Sequence, residues 1–333
     1  MLRPSMTINT KSISATIAAI LLIIGIIGFW WGFEPNIFDV QENARITAEA
    51  NDERVVIGYT TSTALIEVVD TMLNKPGGYL SNDVAPPGVL MDNIPSWEFG
   101  VLEMSRDLAL AMRKDFSRSQ SQSLENPQLI TAQTSISIDS ERWLLPSSEG
   151  EYEKAIEQLR IYRSQLSSVS DANSQFYARA DNLRDYLKQV EKRLGSLSQL
   201  LSASVGTEAL NIELAGDSSA NQSTPQQPSV TNKTSWFALD NNFYQARGAS
   251  WALLHFLQAI EVDFADVLEK KNATVSLQQI IRELEASQDT VYSPVILNGS
   301  GFGLLANHSL VMANYVSRAN AALIELSELL NQG

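Results

Sequence analysis

The chain has 333 residues, with 24 Lys plus Arg against 38 Asp plus Glu, a formal net charge of −14, two His and no Cys. The lack of cysteine excludes disulfide scaffolds, thiol nucleophiles, iron–sulfur clusters and thiolate zinc sites. The length permits one large domain or two ordinary ones, and the acidic balance disfavours nucleic acid and anionic lipid as general partners.

Residues 1–12 form a short basic tail with Arg3, Lys11 and no acid. Residues 13–31 read ISATIAAILLIIGIIGFWW, 19 residues without a charge, and Gly32 and Phe33 extend the run. A helix of about 20 apolar residues crosses a bilayer. The predicted transmembrane helix, 13–33, ends in Phe29, Trp30 and Trp31, which suit the membrane–water interface. A signal peptide has a shorter apolar run and a small-residue cleavage site, and no Ala-x-Ala-like site follows here. The span is therefore read as an uncleaved anchor, with a cleaved signal as the alternative. All 38 acids lie beyond the span, and so do all 24 bases except Arg3 and Lys11. Positive-inside logic predicts a cytoplasmic N-terminus and an exterior ectodomain, which in a Gram-negative cell means inner membrane and periplasm. Gly28 and Gly32 have the spacing that permits two such helices to pair closely.

The exterior is expected to be all-α, a helical bundle in two parts, 34–205 and 236–333, packed on one another. A helix is predicted over 53–74, where apolar residues from Val55 to Leu73 recur nearer every 3.6 than every 2 positions. Pro76, Gly77 and Gly78 stop it, and a loop with Pro86, Pro87 and Gly88 follows. Pro95 fits a first helical turn, with a helix from Trp97 to about Arg118. Residues 127–146 look irregular, with a short strand near Ile136 and Ile138.

From Ala155 to Leu201 apolar residues recur in alternating steps of four and three, through Leu159, Leu166, Leu183, Leu187 and Leu194, with Asn173 on the same seam. Such heptads predict a long rod with a narrow, coiled-coil-like seam over 150–205. Ser167 to Ser174 is weak helix material, so a helical hairpin is the competing form. On a rod, Asn173 would fix the register of partner helices or face solvent at a bend. Residues 206–235 are rich in Ser, Asn, Gln and Thr and read as a flexible linker or long loop. Three helices are predicted after it, at 240–271, 276–287 and 304–330.

Two clusters could carry chemistry. The loop at 77–103 holds Asp83, Asp92, Glu98 and Glu103, and a carboxylate pair is what glycoside hydrolysis requires. Acids are abundant in this chain and the spacing fixes no separation, so an ordered loop or a binding surface explains them as well. The helix from residue 240 places Asp240, Tyr244, Arg247, Trp251 and His255 on one face. The last helix carries Asn307, Asn314 and Arg318 near one stripe, with His308 off it. If the two stripes face each other they form either a ligand pocket or a buried polar network. The run Gly299-x-Gly301-x-Gly303 lacks the nucleotide-binding spacing, and there is no Gly-x-Ser-x-Gly, Walker or His-Glu-x-x-His motif. No catalytic residue, metal or cofactor is assigned on this basis.

Three blocks, GGYLSNDVAPPG with DNIPSWEFGVLE (77–103), FYQARGASWALLHFLQAIEVDF (243–264) and ANHSLVMANYVSRANAALIEL (306–326), together with the N-terminal anchor, resemble a family of uncharacterised proteobacterial single-pass inner-membrane proteins. The resemblance covers most of the exterior and implies no activity and no site residues. The expected function is a non-enzymatic scaffold or partner-binding factor of the cell envelope, held in the membrane by residues 13–33. Its partner would be another protein or a second copy, not nucleic acid. The alternative is a cell-wall or small-ligand binding protein, lytic in one version, using the 77–103 loop and the polar helix faces.

Overall fold

A computed structural model describes residues 10–120, 122–168, 174–210, 229–293, 295–299 and 304–332. Eleven α-helices run through the described residues. The first, α1 (Thr10–Trp31), stands alone for most of its length, and its stretch Ile13–Trp31 is long and apolar enough to cross a membrane. The bundle is built from α2 (Val40–Asn51), α3 (Tyr59–Asn74), α4 (Asn93–Ala111), α5 (Pro127–Ile136), α6 (Ser148–Ser167) and α7 (Ala180–Ser202). It is completed by α8 (Leu239–Asp263), α9 (Ala265–Lys270), α10 (Thr274–Ala286) and α11 (His308–Asn331).

Helix α8 is the axis. Every residue from Ala246 to Leu257 is buried, including Arg247, Ser250 and His255. A helix buried all round has lost its solvent face and must satisfy its polar groups internally. Helix α4 lies along it in a close crossing. A Cβ on Gly100 would fall 2.1 Å from the Gln245 carbonyl oxygen, and one on Gly248 would fall 2.0 Å from that of Trp97. Helices α3 and α10 flank this pair, α6 rests on α3 and α5, and α7 packs along α11. A single hydrophobic cluster runs from Val40 to Leu330, so the segments before and after residues 206–235 share one core.

The long rod is not formed. Helix α6 ends at Ser167, and the chain from Ser174 turns back to it: Tyr162 donates to the Gln175 carbonyl (2.9 Å) and Ser174 to Gln165 Oε1 (2.6 Å). Helices α6 and α7 do not form a hairpin packed on itself either, because each rests on other helices. Leu159, Leu183, Leu187 and Leu194 are fully buried in the common core and Leu166 is partly buried against it. The seam is thus the inner face of two amphipathic helices. An alternation of four and three is what any helix with one buried stripe shows. Asn173 lies outside the described residues.

Two further expectations are corrected. The stretch at 127–146 begins with α5, capped by Asn126, whose Oδ1 accepts from Gln128 N (3.0 Å) and Leu129 N (3.2 Å), with Pro127 in the first turn. Ile136 ends that helix instead of forming a strand. Helix α2 was not foreseen, and the helix expected from residue 53 begins only at Tyr59, after Gly58. Most of the presumed linker, 211–228, lies outside the described residues. Its ends, β1 (Thr207–Leu210) and β2 (Ser229–Asn232), pair antiparallel with Thr207 opposite Asn232.

Candidate functional site

The polar stripe of α8 meets the segment that joins α1 to α2. Arg247, 6% exposed, donates from Nε to both carboxylate oxygens of Glu34 (2.9 Å each) and from Nη2 to Glu34 Oε2 (2.6 Å). Its Nη1 donates to the carbonyls of Ser287 (3.1 Å) and Asp289 (2.9 Å), just past the end of α10. One turn on, Trp251 Nε1 donates to the Asn36 carbonyl (3.3 Å). A further turn on, Phe38 N donates to His255 Nε2 (3.1 Å), and the Phe38 ring stacks on the imidazole with centroids 3.9 Å apart. Four residues of helix advance about 6 Å and two residues of extended chain about 6.6 Å. Steps of four on α8 therefore keep pace with steps of two along Glu34, Asn36 and Phe38. We call this arrangement the collar.

The collar fixes the tautomer of His255. Its Nδ1 lies 2.7 Å from the Trp251 carbonyl oxygen, so Nδ1 carries the proton and Nε2 is free to accept from Phe38. Burial pushes the imidazole pKa down to about 4, and the bond to the Trp251 carbonyl only partly opposes this. A depressed histidine contributes stability that is complete above its unfolded value of about 6.5 and lost as pH falls towards 4. The loss amounts to about 3 kcal/mol. Asp263 works the other way in nearly the same range. Burial raises its carboxyl to about 6 although Thr61 N and Oγ1 both donate to it at 2.7 Å. The comparison that isolates His255 is denaturant unfolding of the wild type and His255→Gln at pH 7 and pH 4.5. Gln keeps an acceptor for Phe38 N. The wild type is expected to lose the more stability on acidification, and equal losses would show that His255 takes up no proton there.

Around the collar the structure leaves space. A cavity of about 740 Å³ lies between the end of α1 and α8, lined among others by Phe29, Phe33, Asn93, Tyr244, Trp251 and Gln288. A second, of about 390 Å³, lies between α8, residues 286–293 and α11, and Arg247 borders both.

Of the residues singled out at the last helix, His308 borders the second cavity, and Asn307, Asn314 and Arg318 do not join the site. Asn307 caps α11, accepting from Leu310 N (2.9 Å) and donating to Asn298 Oδ1 (2.9 Å) and the Gly299 carbonyl (2.5 Å). His308 Nδ1 accepts from Leu297 N (3.0 Å). Asn314 is exposed, and Arg318 is an exposed side chain paired with Glu283 (2.6 Å) above the Tyr315 ring. The expected meeting of two polar stripes is replaced by one stripe meeting the collar. Of the Gly299 run, Gly301 and Gly303 lie outside the described residues.

The loop acids are not brought together as a pair. Glu98 is fully buried with Lys75, and it accepts from Leu80 N (2.9 Å), Ser81 N (2.8 Å) and Ser81 Oγ (2.5 Å). Burial pushes its carboxyl up, and Lys75 and these donors pull it back. All its partners are internal, so it holds the turn at 75–81 in place. Asp83 is half-buried over Gly88 and is raised by burial and by Glu149. Asp92 is exposed at the start of α4, and Glu103 pairs with Arg193 (2.7 Å). The same loop braces α1: the Trp31 ring covers Gly77, whose φ of +88° suits glycine, and Pro87 packs on Gly28. Gly28 therefore already has a close neighbour within its own chain.

Sequence reasoning missed Glu34, Asn36 and Phe38. The available signal was an Arg, Trp and His at steps of four on a helix otherwise apolar enough to be buried, which demands a polar partner from somewhere else in the chain.

The model of the DUF2333 family, described as an uncharacterized protein conserved in bacteria, matches residues 5–333. The chain belongs to this family. The match takes in α1 and the collar as well as every helix of the bundle, so the apolar helix is part of the DUF2333 unit and not an appendage to it. No curated protein and no solved structure matches the chain.

Proposed function

We propose that the chain is a membrane-anchored, non-enzymatic partner-binding factor of the bacterial cell envelope, with its N-terminus in the cytoplasm and its ectodomain presented in a fixed attitude on the far side. The collar supports this reading. An anchor that only has to retain a protein at the membrane can end in a loose linker. Here Arg247, Trp251 and His255, buried residues on successive turns of the central helix, grip every second residue of the joining segment. A fixed attitude matters to a protein whose surface must meet a partner at a set height and orientation.

The test is native mass spectrometry of the full chain extracted from membranes, beside a variant with a flexible Gly-Ser insertion between Phe33 and Glu34. A stoichiometric protein mass, a second copy or another chain, is expected with the wild type and is expected to be lost from the folded insertion variant. Equal recovery by both would overturn the fixed-attitude reading. Asp92→Asn, which alters an exposed acid, is expected to leave the assembly intact.

The 740 Å³ cavity favours a second reading, binding of a small amphipathic ligand. Its aromatic lining is joined by Asn93, whose Oδ1 has no hydrogen-bond partner. The same spectra test it, because a small stoichiometric mass on a bare monomer would favour the ligand over the protein partner.

A further inference from the structure

We propose that the loop at 84–90 enters the interfacial layer of the bilayer beside α1, giving the ectodomain a second membrane contact that does not span. The inference rests on the reading of α1 as a membrane-spanning helix.

Depth is the first argument. Gly28 belongs to the apolar run, about one turn before its end at Trp31. A Cβ at Gly28 would sit 3.3 Å from Pro87 Cβ, so Pro87 lies level with the last turn of the span. Ile24, Ile27, Gly28 and Trp31 form one partly covered stripe on a helix whose other outer-end residues are mostly exposed. Whatever height the bilayer gives that turn, it gives to the loop.

Composition is the second. Residues 84–91, VAPPGVLM, carry no charge and are bounded by Asp83 and Asp92. Pro87 and Gly88 turn inward, while Val84, Val89 and Leu90 point out with 63%, 50% and 75% of their surface exposed. Apolar side chains placed beside a span at interfacial depth gain by entering the boundary between headgroups and acyl chains. The lack of bases on the loop means that apolar burial, not attraction to anionic lipid, would hold it.

Rigidity is the third. The base of the loop is fixed by the buried Lys75–Glu98 pair and by the Trp31 ring over Gly77, so the tip is not free to retreat from α1.

The chain has no cysteine, so single-cysteine spin labels can be placed without altering any other residue. The full chain would be reconstituted in vesicles of phosphatidylcholine and phosphatidylglycerol, labelled singly at Ile20→Cys, Val84→Cys, Leu90→Cys or Val275→Cys. Collision with oxygen and with a nickel chelate present on both sides reports depth. Val275 is an exposed apolar residue at the opposite end of α10 from the carbonyls that Arg247 holds, and serves as the aqueous control. The oxygen-to-nickel ratio is expected to be severalfold higher at 84 and 90 than at 275, and highest at 20. A lipid-buried residue 20 with either loop label as aqueous as 275 overturns the loop proposal and leaves the anchor standing. An aqueous residue 20 overturns both.

Discussion

Gly248→Ala is expected to lower the stability of the ectodomain by about 3 kcal/mol or more. The added methyl would lie 2.0 Å from the Trp97 carbonyl oxygen and 2.8 Å from its carbonyl carbon. These are backbone atoms of a neighbouring helix, and no side-chain rotation can clear them. Helices α4 and α8 would have to part, and the contact they share includes Trp97 and Trp251, both buried, with centroids 5.1 Å apart. A gap of half an ångström to one ångström forfeits a sizeable share of the dispersion energy along such a contact. Gly100→Ala should behave alike, because its methyl would meet the Gln245 carbonyl oxygen at 2.1 Å. Gly195 in α7 is the control. The nearest atom to a methyl there is Asn320 Nδ2 at 3.7 Å, so Gly195→Ala is expected to be neutral or to stabilise by about 0.5–1 kcal/mol through helix propensity. Denaturant midpoints of the three variants in one detergent check the order. A Gly248→Ala midpoint at the wild-type value would mean that the two helices do not meet as described.

Glu98→Gln carries the second large effect. The side chains of Lys75 and Glu98 are both fully buried, and removing one charge leaves the other without compensation. Breaking a buried pair in this way costs about 3–5 kcal/mol, although the intact pair need contribute little over an apolar substitute. Lys75→Met is expected to be costly for the same reason. The double variant should be less destabilised than the two single losses added together, since it leaves no orphan charge. Strict additivity in that cycle would show that the two groups do not interact. The result also separates a structural from a catalytic Glu98: a structural acid loses fold and function together, as a catalytic one would not.

How much of this was legible in the sequence depended on whether a pattern was local. Helix α1, the helical nature of the exterior and the turn after Asn74 follow from apolar runs and from Pro and Gly, which act on the chain where they stand. The α5 signal, Asn126 before Pro127, was equally local and was overlooked beneath a low density of apolar residues. The seam through Leu159, Leu187 and Leu194 is expected from its phase to pack against partner helices, on one rod or a hairpin, and it lines the common core of the chain instead. Periodicity tells which side of a helix is covered and not by what, and an unbroken phase survived a break in the helix. Since those leucines lie in the common core, they are unavailable as a partner surface. Arg247 and His255 were recognised as a stripe needing a partner. The partner lay more than two hundred residues earlier, in Glu34 and Phe38, and no spacing rule connects positions so far apart.

The pairing of α7 with α11 has a consequence for biosynthesis. A chain emerges from the ribosome N-terminus first, and α7 is complete long before α11 is made. Until then the leucines of α7 lack their main cover, with only the smaller contacts to α4 and α8 available, and the side of α10 that rests on α11 is bare. The core therefore closes with the last helix to be synthesised. A chain interrupted before His308 would not be a smaller working protein but an open one, with apolar helices offered to proteases and to its neighbours.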